Sequence, residues 1–222
     1  MPDERPFVRD SPLRTPRAAA IAGILFALLL GTAISLVRHT IPADPSSGTD
    51  WLADGAATVK VALGLVPFAG IAFLWFMGVV RDRFGPLEDR FYSTVFLGSG
   101  LLFLAMLFVW AGTAGGLLAS YSSQPDQTIE SGIYAFGHQV MYGISSIYLI
   151  RMAGVFMISL GTIWIRTGTM HRWLAILTYG LALLLLFSVS LSPWVTLVFP
   201  LWVLIISVHI LFVSLRSTGD SA

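Results

Sequence analysis

Six long apolar runs, most of them closed by a basic residue, constrain this chain more than any motif in it. They are Ala18 to Val37 between Arg17 and Arg38, Val61 to Val80 between Lys60 and Arg81, and about Tyr92 to Ala119. A fourth ends at Ile165 before Arg166 and begins between Ile133 and Ser146, a fifth runs from Trp173 to about Ser190, and a sixth from Trp194 to Leu215 before Arg216. A helix rising about 1.5 Å per residue needs roughly 20 apolar residues to cross a hydrocarbon core of about 30 Å. Each run meets or nearly meets that length when the fourth is taken as 146–165. Trp173 to Leu215 is 43 residues, too long for one crossing, and the break at Leu191, Ser192 and Pro193 divides it into a hairpin of two. The expected fold is an all-α integral membrane bundle of six transmembrane helices. Composition agrees: 56% of the residues are hydrophobic and 11% charged, against roughly 25% charged in soluble domains. Only a chain solvated by lipid has use for that much apolar surface.

The basic residues set an orientation. With the N-terminus inside, Arg5, Arg9, Arg14, Arg17, Arg81, Arg83, Arg90, Arg166, Arg172 and Arg216 are cytoplasmic, and only Arg38 and Lys60 lie outside. A bias of ten to two places both termini in the cytoplasm of a cell-membrane protein. A tail over 1–17, one transmembrane domain over 18–216 and a tail over 217–222 follow. The sixteen mixed-charge residues before Arg17 and the length of the first run read as a retained anchor, because a secretory core is only about 7–15 residues long.

Several chemistries are excluded. Cysteine is absent, which removes thiolate nucleophiles and thiolate metal sites. No H-E-x-x-H pattern occurs and no Asp or Glu lies inside a predicted span, which disfavours metal hydrolysis, paired-aspartate proteolysis and carboxylate proton relays. A bis-histidine haem site needs two ligands at one depth. The pairs His39 with His138 and His171 with His209 each include a loop residue, so no cofactor and no metal is expected. A net charge of +1 carries no nucleic-acid footprint.

In lipid, helices associate where backbones approach closely. Ala19, Gly23, Ala27, Gly31 and Ser35 form a four-residue repeat of small side chains in the first run, and Gly112 and Gly116 begin a second stripe in the third. These stripes mark either packing within the bundle or an interface with another copy or another membrane protein. Pro67 and Pro200 fall inside the second and sixth runs and are expected to kink them.

Ionisable residues in spans are the candidates for binding. Arg151 lies roughly 7–8 Å below the outer edge of the fourth run at about 1.5 Å per residue. It either lines an outward cavity that binds an anion, or snorkels to headgroups or pairs with Asp126 or Glu130. His138, Gln139 and Tyr142 precede it. Thirteen residues put His138 and Arg151 on opposite helix faces, so they converge only if the helix breaks near Gly143, Ser145 and Ser146. Alternatively, 133–142 is a separate interfacial helix. His209 shares a face with Trp202 and Arg216 near the inner end.

Between the second and third runs, Gly85 suits a helix C-cap, Pro86 the first turn of the next helix, and Glu88 and Asp89 its positive dipole end. Gly78, Asp82, Arg83 and Gly85 resemble the G-x-x-x-D-R-x-G signature of major facilitator transporters, which implies alternating access. That family has twelve spans where six are expected here, and Pro86 and Leu87 replace its further basic residues. More broadly, Arg81 to Phe103 and Arg172 to His209 resemble uncharacterised multi-pass membrane proteins of actinobacterial type, which implies class without mechanism. Three roles follow: a non-enzymatic accessory or scaffold subunit among membrane lipids, a small oligomeric permease or channel using Arg151 or His209, or an enzyme acting on lipid. The first fits the small-residue stripes and the lack of a catalytic constellation.

Overall fold

The computed structural model describes residues 15–42, 48–82, 90–168, 172–188 and 192–219. Every regular element among them is helical: α1 (Thr15–Thr40), α2 (Ala56–Asp82), α3 (Arg90–Ser123), α4 (Pro125–Glu130), α5 (Ile133–Gly143), α6 (Ile150–Thr167), α7 (Arg172–Phe187) and α8 (Val198–Gly219). A π-helical segment, Ile144–Leu149, joins α5 to α6, and a 3-10 turn, Pro193–Leu197, leads into α8. Five stretches are long and apolar enough to cross a membrane: Arg17–Thr40, Ala56–Asp82, Phe91–Ser123, Ile133–Thr167 and Trp194–Leu215. The fifth run forms the shorter α7, whose 16 residues reach about 24 Å.

The fourth run begins at Ile133, the early end of the range read from sequence, and 133–142 continues directly into the rest of the helix. The chain is helical without interruption over 35 residues, Ile133–Thr167. Where Gly143, Ser145 and Ser146 could have allowed a break, the helix passes through a π turn, Ile144–Leu149. Ser145 Oγ donates to the Tyr142 carbonyl oxygen at 3.1 Å, a local bond that competes with the regular ladder. Gly168, at φ 64°, then ends α6 in the left-handed conformation that glycine adopts freely. Pro200 differs from expectation. It is the third residue of α8, within the first turn, where no backbone donor is required, so it shapes an entry and not a mid-helix kink. Pro67 does lie inside α2.

Packing runs in the order α8, α1, α2, α3, α6, α7, with α1 lying chiefly against α2 and α8, and α6 against α3 and α7. The ring closes where Trp202 Nε1 of α8 donates to Thr178 Oγ1 of α7 at 2.9 Å. Aromatic side chains fill the centre. Phe26, Phe73, Phe96, Phe103, Phe156, Phe199 and Trp202 are all buried. Their rings interlock, with Phe26 4.6 Å from Phe73, Phe96 4.7 Å from Phe156, and Phe103 4.7 Å from Phe199. Offset and edge-on pairs at these separations contribute ~0.5–1.5 kcal/mol each beyond area burial.

Small residues admit the close helix approaches. A side chain built at Gly23 of α1 runs into Ser207 of α8 and Phe76 of α2. Gly154 and Gly161 of α6 face α7, where a Cβ meets the Ala182 carbonyl oxygen at 3.0 Å and Thr178 at 3.3 Å. Gly31, Gly112 and Gly116 face open space.

Around the outside the surface is apolar. Phe68, Ile71 and Trp75 of α2, Trp173, Ile176 and Phe187 of α7, and Phe212 of α8 are exposed. A contiguous apolar exterior of this kind is foreign to a soluble monomer and ordinary for a helix bundle bathed in hydrocarbon.

Candidate functional site

Polar chemistry concentrates at one end of the bundle, where α1 ends and α5 begins. His138, Tyr142 and Ser145 are spaced four and three residues apart and share one helix face. That face meets Arg38 and Pro42 of the chain leaving α1. His138 is 1% exposed, and its Nε2 donates to the Pro42 carbonyl oxygen at 3.0 Å. The carbonyl accepts only, which fixes the proton on Nε2. Nδ1 is buried without a hydrogen-bond partner. One turn earlier, Tyr134 bridges two parts of the α1–α2 connection: its hydroxyl donates to the Gly48 carbonyl oxygen at 3.2 Å and accepts from Trp51 Nε1 at 3.3 Å. Trp51, Leu52 and Ile41 are buried beneath this cap. The described parts of the α1–α2 connection are therefore pinned down by an indole, a phenol and an imidazole.

Beside the cap, Arg38 Nη2 donates to Ser145 Oγ at 3.4 Å, a long contact for a hydrogen bond. The half-buried Arg38 lines a cleft of about 10 Å³ with Ile34, Leu107, Trp110, Ser145, Leu149 and Thr196, room for roughly one water. The π turn presents Ser145 here, in keeping with the frequent association of such bulges with functional positions. At the rim, the His39 ring lies edge-on to Trp194 at 5.1 Å.

The residues singled out from sequence fall into separate places. His138 and Tyr142 belong to this end. Arg151 is half-buried on α6, and the unbroken helix holds it roughly 18–20 Å along the axis from His138, so the two do not form one site. Asp126 and Glu130 are exposed on α4, and no ion pair joins them to Arg151 among the described residues. His209 is half-buried near the opposite end of α8, and Trp202, on the same face, is spent on the bond to Thr178. Gly78 and Asp82 are exposed at the end of α2, whereas Arg83 and Gly85, with the helix-capping roles of Pro86, Glu88 and Asp89, lie outside the described residues. Ala19, Gly23 and Ala27 are buried on α1, Gly31 is half-buried, and Gly112 and Gly116 are exposed on α3. No group of three or more potential metal ligands occurs among the described residues.

Sequence reasoning gives Trp51 and Tyr134 no role and takes Ser145 as a point where a helix can break, not as a site residue. Arg38 reads as a boundary charge at the end of a run. The one available signal was the 138, 142, 145 spacing, obscured by setting the start of the fourth run at Ser146.

Tyr134→Phe is expected to remove both bonds of the bridging hydroxyl and to destabilise the cap by ~1–3 kcal/mol, since the buried Trp51 N–H is left unpaired. Hydrogen exchange checks this. Amides over 49–55 and 133–140 should lose protection by about one to two orders of magnitude, with α6 and α8 unchanged.

Comparison with family models, with curated proteins and with solved structures finds no match to this chain.

Proposed function

We propose that this chain is a six-span cell-membrane protein with both termini in the cytoplasm, serving as a non-enzymatic accessory or scaffold subunit. The observation that carries the reading is the interlocked aromatic centre, where Phe26, Phe73, Phe103, Phe156 and Phe199 occupy the place a permeation path requires. A transporter builds polar groups and broken helices around its midplane, whereas the polar groups of the cap sit at one end of this bundle. α7, fifth in chain order, supplies the remaining span. It carries no charged residue between Trp173 and Phe187 and lies along α6, so a modest local thinning of the bilayer accommodates its length. The exterior offers apolar relief for a neighbouring helix. Between α1 and α2, Ile21, Leu25, Phe68, Ile71 and Trp75 line a groove of about 440 Å³.

Three measurements test this reading. The chain has no cysteine, so single cysteines report topology directly. Ala53→Cys should react with an impermeant maleimide in intact cells, and Asp82→Cys only after lysis. The reverse pattern, or equal labelling, removes the orientation. A photo-cross-linking residue at position 75 should give a discrete protein adduct in native membranes, and adducts to lipid alone at every exposed position would sink the scaffold role. Arg151→Leu should leave yield and oligomer size unchanged, because a side chain that only snorkels contributes within about 0.5 kcal/mol. Loss of folded protein would instead indicate a buried partner and reopen the cavity reading.

A further inference from the structure

We propose that the Arg38 cleft is a binding site for a phosphate-class oxyanion at the membrane interface. A guanidinium offers five N–H donors in a fixed fork, and among the described residues Arg38 gives one long bond, to a neutral hydroxyl. No described carboxylate pairs with it. A partly buried cation in that position is stabilised by an anionic partner with several acceptor atoms. The surroundings fit one. Ser145, Thr196 and Trp110 line the same cleft. The Ser145 hydroxyl proton is held by the Tyr142 carbonyl oxygen, so the guanidinium supplies the donors, and the volume of about 10 Å³ admits a single oxygen, leaving the body of the ligand at the mouth. The level is also right. Arg38 is the third residue from the end of α1, and the next residue, His39, packs edge-on against the half-exposed Trp194, a residue type that marks the headgroup layer. A phosphodiester headgroup and free phosphate present the same oxygen to this fork.

The proposal rests on the membrane reading and not on the scaffold role. The delipidated full-length chain in non-ionic detergent is titrated with phosphatidylglycerol, with diacylglycerol of the same acyl chains, and with inorganic phosphate, followed by native mass spectrometry. Phosphatidylglycerol should bind about tenfold or more tighter than diacylglycerol, Arg38→Gln should erase that difference, and Arg38→Lys, a point charge without the fork, should keep part of it. Displacement of the lipid by millimolar phosphate assigns the site to a soluble anion, and resistance to displacement assigns it to the headgroup. Equal binding of the two lipids by the unaltered chain overturns the proposal, and so does undiminished preference in folded Arg38→Gln. Should Arg38→Gln fail to fold, the comparison of the two lipids on the unaltered chain decides. Asp44 lies outside the described residues. A gain of about tenfold or more in lipid binding on Asp44→Asn would make that carboxylate the native counter-ion and likewise overturn the anion site. Failure of the cysteine topology changes only the leaflet.

Discussion

Gly23→Leu is expected to cost the bundle about 3 kcal/mol or more, the upper range for forcing bulk into a packed interior. The added side chain has nowhere to go. Its first carbon already collides with Ser207 of α8, and Phe76 of α2 lies 2.8 Å away. Ser207 and Phe76 are both fully buried, so neither has solvent or lipid to retreat into. α1 is the helix that α2 and α8 share, and separating it from either opens two interfaces together. At ~2–4 °C per kcal/mol for a chain of this size, thermal unfolding in detergent should fall by roughly 6–12 °C, with loss of monodisperse protein. Gly31→Leu and Gly112→Leu are the controls. No atom lies within 4 Å of a Cβ at either position, and each should stay within about 0.5 kcal/mol of the parent. A Gly23→Leu protein as stable as these controls would mean that α1 and α8 are not in close contact. If all three variants fold yet Gly31→Leu and Gly112→Leu abolish an oligomer, the outward glycines form an interface between chains.

The contrast between Gly23 and Gly31 shows where the sequence was legible and where it stopped. Apolar runs and flanking arginines located five membrane-length helices because the signal repeats over some 20 residues and owes little to partners. A four-residue repeat of small side chains identified a stripe on α1, but the stripe does not say how far along it the neighbour runs. α8 meets it at Gly23, whereas Gly31, two steps on and turned about 80° round the helix at 100° per residue, faces open space. The packing glycines of α6, Gly154 and Gly161, sit at a seven-residue interval that no shorter repeat advertises. Arg151 and Arg38 fail in opposite ways. An arginine inside a run looks costly and one at the edge looks ordinary, yet the edge residue is the one drawn against Ser145, because α5 extends past the expected start of its span and covers it. That extension is masked by His138 and Gln139, which lower the apparent hydropathy of the segment although His138 is turned into protein and Gln139 alone stays exposed. Long-range pairings such as Trp51 with Tyr134, 83 residues apart, leave no local trace at all.

Phe73→Ala is expected to cost about 2.5–4 kcal/mol, with the mechanism weighted differently from a soluble core. In water much of the loss on truncating a buried phenylalanine is transfer free energy. In a bilayer the unpacked helices still sit in hydrocarbon, so that part shrinks and the packing part remains. A cavity on the order of 100 Å³ at ~24 cal/mol per Å³ gives ~2.4 kcal/mol, and the broken ring pairs add to it. Phe73 is the residue to choose because its ring lies 4.6 Å from Phe26, 5.2 Å from Phe156, 5.4 Å from Phe103 and 5.7 Å from Phe199. One truncation thus unpins side chains of α1, α3, α6 and α8 together. Phe73→Leu, which refills most of the volume, should recover more than half of the loss. The same variant separates the two roles for this bundle. If the aromatic centre is structural, Phe73→Ala liposomes lose stability and stay as tight to ions and small solutes as the parent. If their permeability rises while the protein remains folded, the rings are the closed gate of a conduit, and the scaffold reading gives way to a permease.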